Sequence, residues 1–212
     1  MMGSMSSFNL LDSLGVAGAA AIQEVLGSLV VVRGRRHGAG AGIIWRSDGI
    51  ILTNSHVVNG ITPQVLLPDG RELPARVITR STELDLALLS VDSGRLPPVR
   101  IAPPGSLKIG MMVFAVGHPW GQHGYVTAGI LSGFGELQTR NGRRIPVLRT
   151  DAALAPGNSG GPLIDAGGSV LGINTLVVGG DQGVSIPVEV IAEFSSQVVE
   201  EKNGTPEKET VI

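Results

Sequence analysis

Between Ser28 and Pro187 the apolar residues fall into short runs, several alternating with polar ones, and each run stops at a turn signal. SLVVVR, GIIWR and GIILTN come first, with Asp48-Gly49 as a hairpin turn between the last two. PQVLLP, RELPARVIT and DLALLSV follow, the first two separated by Asp69-Gly70, and Leu96-Pro97-Pro98 then breaks the pattern. A second series holds MMVFAVG, YVTAGILSGFG, RIPVLRT, GPLID, SVLGINTLVV and VSIP, with turns at Asn141-Gly142 and Gly167-Gly168. Turn signals spaced roughly 8–12 residues apart predict an all-β sandwich or barrel. Helical character is confined to the ends: Val16–Leu26 is Ala-rich, and Val188–Val199 has helical periodicity behind Pro187. The pattern predicts a lead-in segment with a helix (1–27), two similar barrels (about 28–100 and 101–187), a closing helix (188–199) and a polar flexible tail (200–212).

Composition narrows the picture. The 212 residues are 42% hydrophobic and 16% charged with a net charge of −2, so a globular chain is expected, and neither nucleic acid nor an anionic membrane is indicated as partner. Gly, at 31 residues, is about twice its usual share, while aromatics are 3%, so aliphatic side chains must fill the core. There is no Cys, hence no disulfide and no thiolate chemistry. No apolar run is long enough to span a membrane. LGVAGAAAI lacks a basic leader and runs into Gln23-Glu24, so it reads as a helix and not as a signal peptide. The expected compartment is cytoplasmic for the chain as it stands, and the cell envelope if a leader was removed.

The candidate chemistry centres on TDAALAPGNSGGPLID, where Ser159 lies between Asn158 and Gly160-Gly161. A serine hydroxyl becomes a nucleophile only when a base takes its proton and a third group orients that base. Of the four histidines, His56 follows a strand that reads as buried, although a hydrogen-bonded structural histidine would suit that place too. Asp85 stands between Leu84 and Leu86 at the start of an apolar strand, where a carboxylate demands a partner. An imidazole N–H is one candidate. Asp151, near Ser159, reads as a turn or strand-end residue. The order His56, Asp85, Ser159 is that of the chymotrypsin-type triad, and the Gly157 and Ser159 N–H groups become candidate oxyanion donors.

SDGIILTNSHVV, ELDLALLSV, AVGHPWG, VTAGILSGFG, TDAALAPGNSGGPLID and VLGINT together resemble, in order and spacing, the protease domain of the HtrA/Deg family of trypsin-like serine proteases. The resemblance covers about Ser28 to Val199. It implies two six-stranded barrels with the triad His56, Asp85 and Ser159 in the cleft between them, and an oxyanion hole at Gly157, Asn158 and Ser159. It also implies a specificity pocket at Ala153, Leu154 and Val177 that favours small to medium aliphatic residues, with unfolded or damaged proteins as substrates. A homotrimer through the N-terminal segment is implied, and Phe8, Leu10, Leu11 and Leu14 supply an apolar lead-in for it. Family members usually carry PDZ domains after the protease domain. This chain stops about where one would begin, which fits either a member without a PDZ domain or a truncated one, and the terminal Glu209-Thr210-Val211-Ile212 has the pattern of a PDZ-groove ligand. The altered pocket wall Gly183-Val184-Ser185-Ile186-Pro187 and the short loop GRRHGAGAG depart from the family pattern.

Other features read blandly. GAGAG at 38–42 precedes a strand, so it is no phosphate loop. His118 and His123 lack further ligands at metal spacing, so neither a metal nor a cofactor is expected. The arginines of GRR and RNGRR read as solvated loops, although RNGRR falls where the family has a regulatory sensor loop. Two function classes remain: an active serine endopeptidase, or a latent protease-fold chaperone or binding module.

Overall fold

The computed structural model describes residues 6–34, 39–58, 62–119, 123–139, 141–179 and 182–203, with all their side chains except those of 6–14, 17, 176, 178 and 197–203. After α1 (Ser6–Leu26) come β1 (Leu29–Arg33), β2 (Ala39–Arg46), β3 (Ile50–Thr53), β4 (Gln64–Leu66), β5 (Glu72–Ser81) and β6 (Leu86–Val91). They close into one antiparallel barrel in the order β1-β2-β3-β6-β5-β4. The second barrel contains β7 (Met112–Gly117), β8 (Tyr125–Gln138), β9 (Arg144–Thr150), β10 (Pro162–Asp165), β11 (Val170–Val178) and β12 (Gln182–Pro187), in the order β10-β11-β12-β9-β8-β7. The closing helix α2 is Val188–Asn203. The fold is thus a trypsin-like pair of six-stranded barrels with a helix at each end.

The near-continuous apolar runs have a simple cause: several strands are buried on both faces. In β3 and β6, Ile51 and Leu89 fill the first barrel, while Leu52 and Leu88 join a cluster shared with the second. Leu163 and Leu171 likewise fill the second barrel, while Ile164 and Ile173 face the shared cluster. Successive side chains point to opposite faces of a strand, so neighbours in sequence serve different cores. Val25 of α1 and Ile191 and Phe194 of α2 cap the shared cluster. The segment between barrels is stitched to both, through Val99 N–H to Ile44 O at 2.9 Å and Ala102 N–H to Val170 O at 3.0 Å.

Two boundaries differ from the expectation. Helix α1 begins at Ser6, upstream of Val16, with Gly15 accommodated within it. Helix α2 continues past Val199 to Asn203, since Glu-Glu-Lys sustains a helix well. Residues 39–42 of GAGAG lie in strand β2. His37, Arg35, Arg36, Arg140, the side chains of Phe8, Leu10, Leu11 and Leu14, and the terminal stretch Glu209–Ile212 lie outside what is described.

Candidate active site between the barrels

His56 sits where β3 gives way to a turn, closed by Val57 N–H to Asn54 O (3.3 Å) and Val58 N–H to Ser55 O (3.2 Å). Its ring is half exposed, at 51%. Asp85 ends the turn that precedes β6, and among the described residues it is the one non-glycine with positive φ, at 53°. Two donors hold its carbonyl in that left-handed conformation: Ser55 N–H at 3.1 Å and Asn54 Nδ2 at 2.8 Å. Short polar side chains tolerate this region best, but it still costs about 1–2 kcal/mol.

The carboxylate that results is well satisfied. Oδ1 accepts the backbone N–H of His56 at 3.0 Å, and Oδ2 lies 2.8 Å from His56 Nδ1. The Thr175 hydroxyl also donates to Oδ2. A carboxylate at Nδ1 fixes the proton there, which leaves Nε2 of the neutral ring as the basic nitrogen.

Ser159 arrives from the other barrel. Its carbonyl accepts Ala41 N–H at 2.8 Å, and Gly160 N–H donates to Asn174 O at 3.0 Å, so the nucleophile loop is pinned to both barrels. Gly160 (φ +85°) passes so close to β2 that a Cβ would lie 2.0 Å from Ala41 O. Gly157 (φ +106°) presses on the loop after β7, where a Cβ would lie 2.3 Å from His118 O. These contacts require glycine at both positions. Ser159 and His56 line one cavity of about 200 Å³ with Ala39, Gly40, Val57, Pro156 and Gly157. The Ser159 hydroxyl donates to Thr175 O at 3.1 Å, so its proton must turn away from that carbonyl before a base can take it.

Of the residues expected at the oxyanion hole, Asn158 has its N–H committed to Ala155 O at 2.9 Å. Among the described residues, the N–H groups of Gly157 and Ser159 have no such acceptor. The Asn158 side chain is buried against Gly117, where a Cβ would lie 2.8 Å from Oδ1. A cavity of about 390 Å³ opens beside Ser159, lined by Leu154, Val177, Pro156, Asn174 and Thr175 among others. Ala153 is not in its wall. That residue is exposed, and its carbonyl faces β8 to accept the Thr127 hydroxyl at 2.7 Å. Leu154 instead covers Gly183, whose Cβ would lie 3.0 Å from the leucine side chain.

Sequence reasoning missed Thr175. It lies at a register shift in β11, where Asn174 pairs with Ser185 and Leu176 with Val184, leaving Thr175 unpaired with β12. Both its hydroxyl and its carbonyl therefore reach the cleft. The signal was the polar pair Asn174-Thr175 inside an apolar run, both buried. Asp151, as expected, serves a strand end, accepting Ile130 N–H at 2.6 Å. Arg143 is largely exposed but pairs at 3.4 Å with Glu83, in the turn that carries Asp85. Among the described residues no group of three or more His, Asp or Glu side chains could hold a metal ion. No helix among them is long and apolar enough to cross a membrane.

Residues 40–173 match the family described as the trypsin-like peptidase domain. A probable periplasmic serine endoprotease, DegP-like, of Halomonas elongata is 40% identical over 169 residues, which are 77% of this chain and 35% of that protein. The putative serine protease HhoB of Synechocystis is 40% identical over 160 residues, 74% of this chain and 38% of that protein. The chain thus spans little more than a third of the length of these curated relatives. Among solved structures, the serine endoprotease from Yersinia pestis superposes with a TM-score of 0.77 at 31% identity, covering 87% of this chain and 67% of that one. An HtrA-type protease solved with a tripeptide gives 0.79 at 31% identity, covering 86% and 64%. The chain belongs to the trypsin-like peptidase domain family, in its HtrA/Deg branch of serine proteases.

Proposed function

We propose that this chain is a serine endopeptidase in which Ser159 attacks the peptide carbonyl, His56 is the general base and Asp85 orients it. The observation that carries this reading is the grip of one carboxylate on both N–H groups of His56, the backbone N–H and Nδ1–H, beside the cavity shared with Ser159. In the reaction His56 Nε2 takes the Ser159 proton as the acyl bond forms, then returns it to the leaving amine. The charge developing on the carbonyl oxygen meets the N–H groups of Gly157 and Ser159, each such donor worth roughly 2.7–4 kcal/mol at the transition state. Asp85 stays ionised and stabilises the imidazolium. Ser159→Ala and His56→Ala each lower peptide turnover on the order of 10⁶-fold, and the double variant loses no more than the worse single. Additive losses in steady-state assays would argue against the triad.

The substrates of this reading are flexible or unfolded chains with aliphatic residues on the acyl side of the cut, because Leu154 and Val177 make the adjoining cavity apolar. A homotrimer joined through the apolar lead-in around Phe8 and Leu11 completes the assembly, and light scattering showing a monomer at micromolar concentration would rule it out. The tail ending in Val211-Ile212 is a ligand for a PDZ groove, tested by deleting Ile212 and measuring affinity for a PDZ domain.

One observation favours a second reading, a latent protease-fold binding module: the Ser159 hydroxyl is engaged by Thr175 O. On that reading the resting chain binds unfolded protein without cutting it. Peptide turnover by the resting chain decides against it.

A further inference from the structure

Asn174 and Ser185 are fully buried and stand opposite each other as register partners in β11 and β12. Polar groups in such a place cost stability unless hydrogen bonds satisfy them. Both are satisfied: the Ser185 hydroxyl donates to Asn174 Oδ1 at 2.9 Å, and Asn174 Nδ2 donates to Pro162 O at 3.0 Å. The main chain of Asn174 is as fully used. Its N–H donates to Gly161 O at 2.9 Å, and its carbonyl accepts Gly160 N–H at 3.0 Å. One residue thus binds Gly160, Gly161 and Pro162, the three that directly follow Ser159.

The register shift of β11 begins immediately after this pair, and Thr175 is the extra residue between Asn174 and Leu176. The last regular pair before a bulge fixes where the bulge falls. A slip of one residue would carry the Thr175 hydroxyl away from Asp85 and its carbonyl away from the Ser159 hydroxyl. Two aliphatic side chains could fill the same space, but hydrophobic contact has no direction, whereas a hydrogen bond holds its partners at a set distance and angle. Ser185 lies in the stretch Gly183–Pro187, where this chain departs from the family pattern. Its hydroxyl does not serve the substrate cavity, since Ser185 is not among the described residues that line the cavity beside Ser159.

We propose that Asn174 and Ser185 are a positioning pair for the reaction, which holds the loop of Ser159 and the bulge of Thr175 in one fixed relation. The inference rests on the reading of His56, Asp85 and Ser159 as a triad. The pair acts through other residues: Asn174 through the loop it binds and the bulge it precedes, and Ser185 through Asn174.

The test compares the full chain as wild type, as Ser185→Ala and as the double variant Asn174→Leu/Ser185→Ala. The double variant removes both polar partners and keeps their volumes, so its urea midpoint should stay close to that of the wild type. Its kcat on a short peptide should nonetheless fall at least about tenfold, with KM changed by less than about twofold. The His56 Nδ1–H resonance, followed by NMR in chains labelled with ¹⁵N at histidine, should move toward its position in Thr175→Val. That readout needs no cleavage, so it decides the role of the pair even where absent wild-type turnover has refuted the triad reading. Ser185→Ala, which removes a single oxygen, should move the resonance in the same direction. An undiminished kcat in the folded double variant, or a resonance that stays in place, would overturn the proposal. Loss of the folded state in both variants would overturn it too, since the pair would then serve the fold alone.

Discussion

Thr175 donates its hydroxyl to Asp85 Oδ2 across the cleft, so a strand of the second barrel steadies an acid carried by the first. The same residue accepts the Ser159 hydroxyl on its carbonyl at 3.1 Å. Thr175 therefore touches both outer members of the candidate triad.

Thr175→Val removes the hydroxyl and keeps the shape. The loss of one hydrogen bond to a charged group is worth about 1.5–3 kcal/mol. The expected outcome is a fall in kcat of at least about tenfold with KM little changed. Thr175→Ser should retain most of the rate. Steady-state kinetics on a short peptide substrate would check both, and equal losses in the two variants would contradict the role of the hydroxyl.

The glycine at 160 has no room for a methyl group. Gly160→Ala sets a Cβ 2.0 Å from Ala41 O at a φ of +85°, and also meets the Thr53 hydroxyl at 2.4 Å. Neither neighbour can retreat cheaply: one is strand backbone, and the other is bonded to that same carbonyl at 2.7 Å. Strain plus overpacking should destabilise the fold by about 2–5 kcal/mol. Urea denaturation would measure it, and an unchanged midpoint would contradict the packing described here.

Specificity should follow the apolar wall of the cavity beside Ser159. A Lys or Arg placed against Leu154 and Val177 would bury a charge without a partner, at a cost of several kcal/mol. A medium aliphatic side chain gains roughly 1–3 kcal/mol there. Mass spectrometry of casein digests should show cuts after Val, Ile, Leu or Ala. A dominant set of cuts after basic residues would refute the assignment of the pocket.

Stability should fall in mild acid because of His118. Its folded pKa of about 4 lies below the ordinary histidine value of 6.5, so between these values the unfolded chain binds more protons. The stabilisation is complete above pH 6.5 and drains away as the pH falls toward 4. About 2.5 pH units correspond to roughly 3 kcal/mol at most, and to nearer 2 because water reaches part of the ring. Denaturation curves at pH 7.5 and 4.5 should differ accordingly, and His118→Asn should shrink that difference. An equal pH dependence in the variant would contradict the buried neutral ring.

The barrels were readable because the strand period and the turn residues agree at nearly every boundary. Helix α1 was read short because the Ala-rich stretch that marks it starts only at Val16, while the helix begins at Ser6. His56 and Asp85 could be picked out by residue type and position, and the structure brings them into contact. Thr175 left a trace only in the polar pair Asn174-Thr175 within an apolar run, because its role arises from a register shift that this pair does not specify. Ala153 is not among the residues that line the cavity beside Ser159, because counting back along a loop gives distance from Ser159 but not direction. Its carbonyl accepts the hydroxyl of Thr127 in β8. The commitment of the Asn158 N–H to Ala155 likewise depends on a turn that the sequence PGNSGG does not specify.

The claim on which the account rests is that Ser159 is a nucleophile activated by His56. A fluorophosphonate probe tests it most directly, because it reacts only with a serine whose base and oxyanion donors are in place. Peptide mapping of the labelled wild-type chain should find one adduct, on Ser159, and His56→Ala should abolish it. An unlabelled Ser159 in the folded wild-type chain, or labelling that persists undiminished in His56→Ala, would contradict the account.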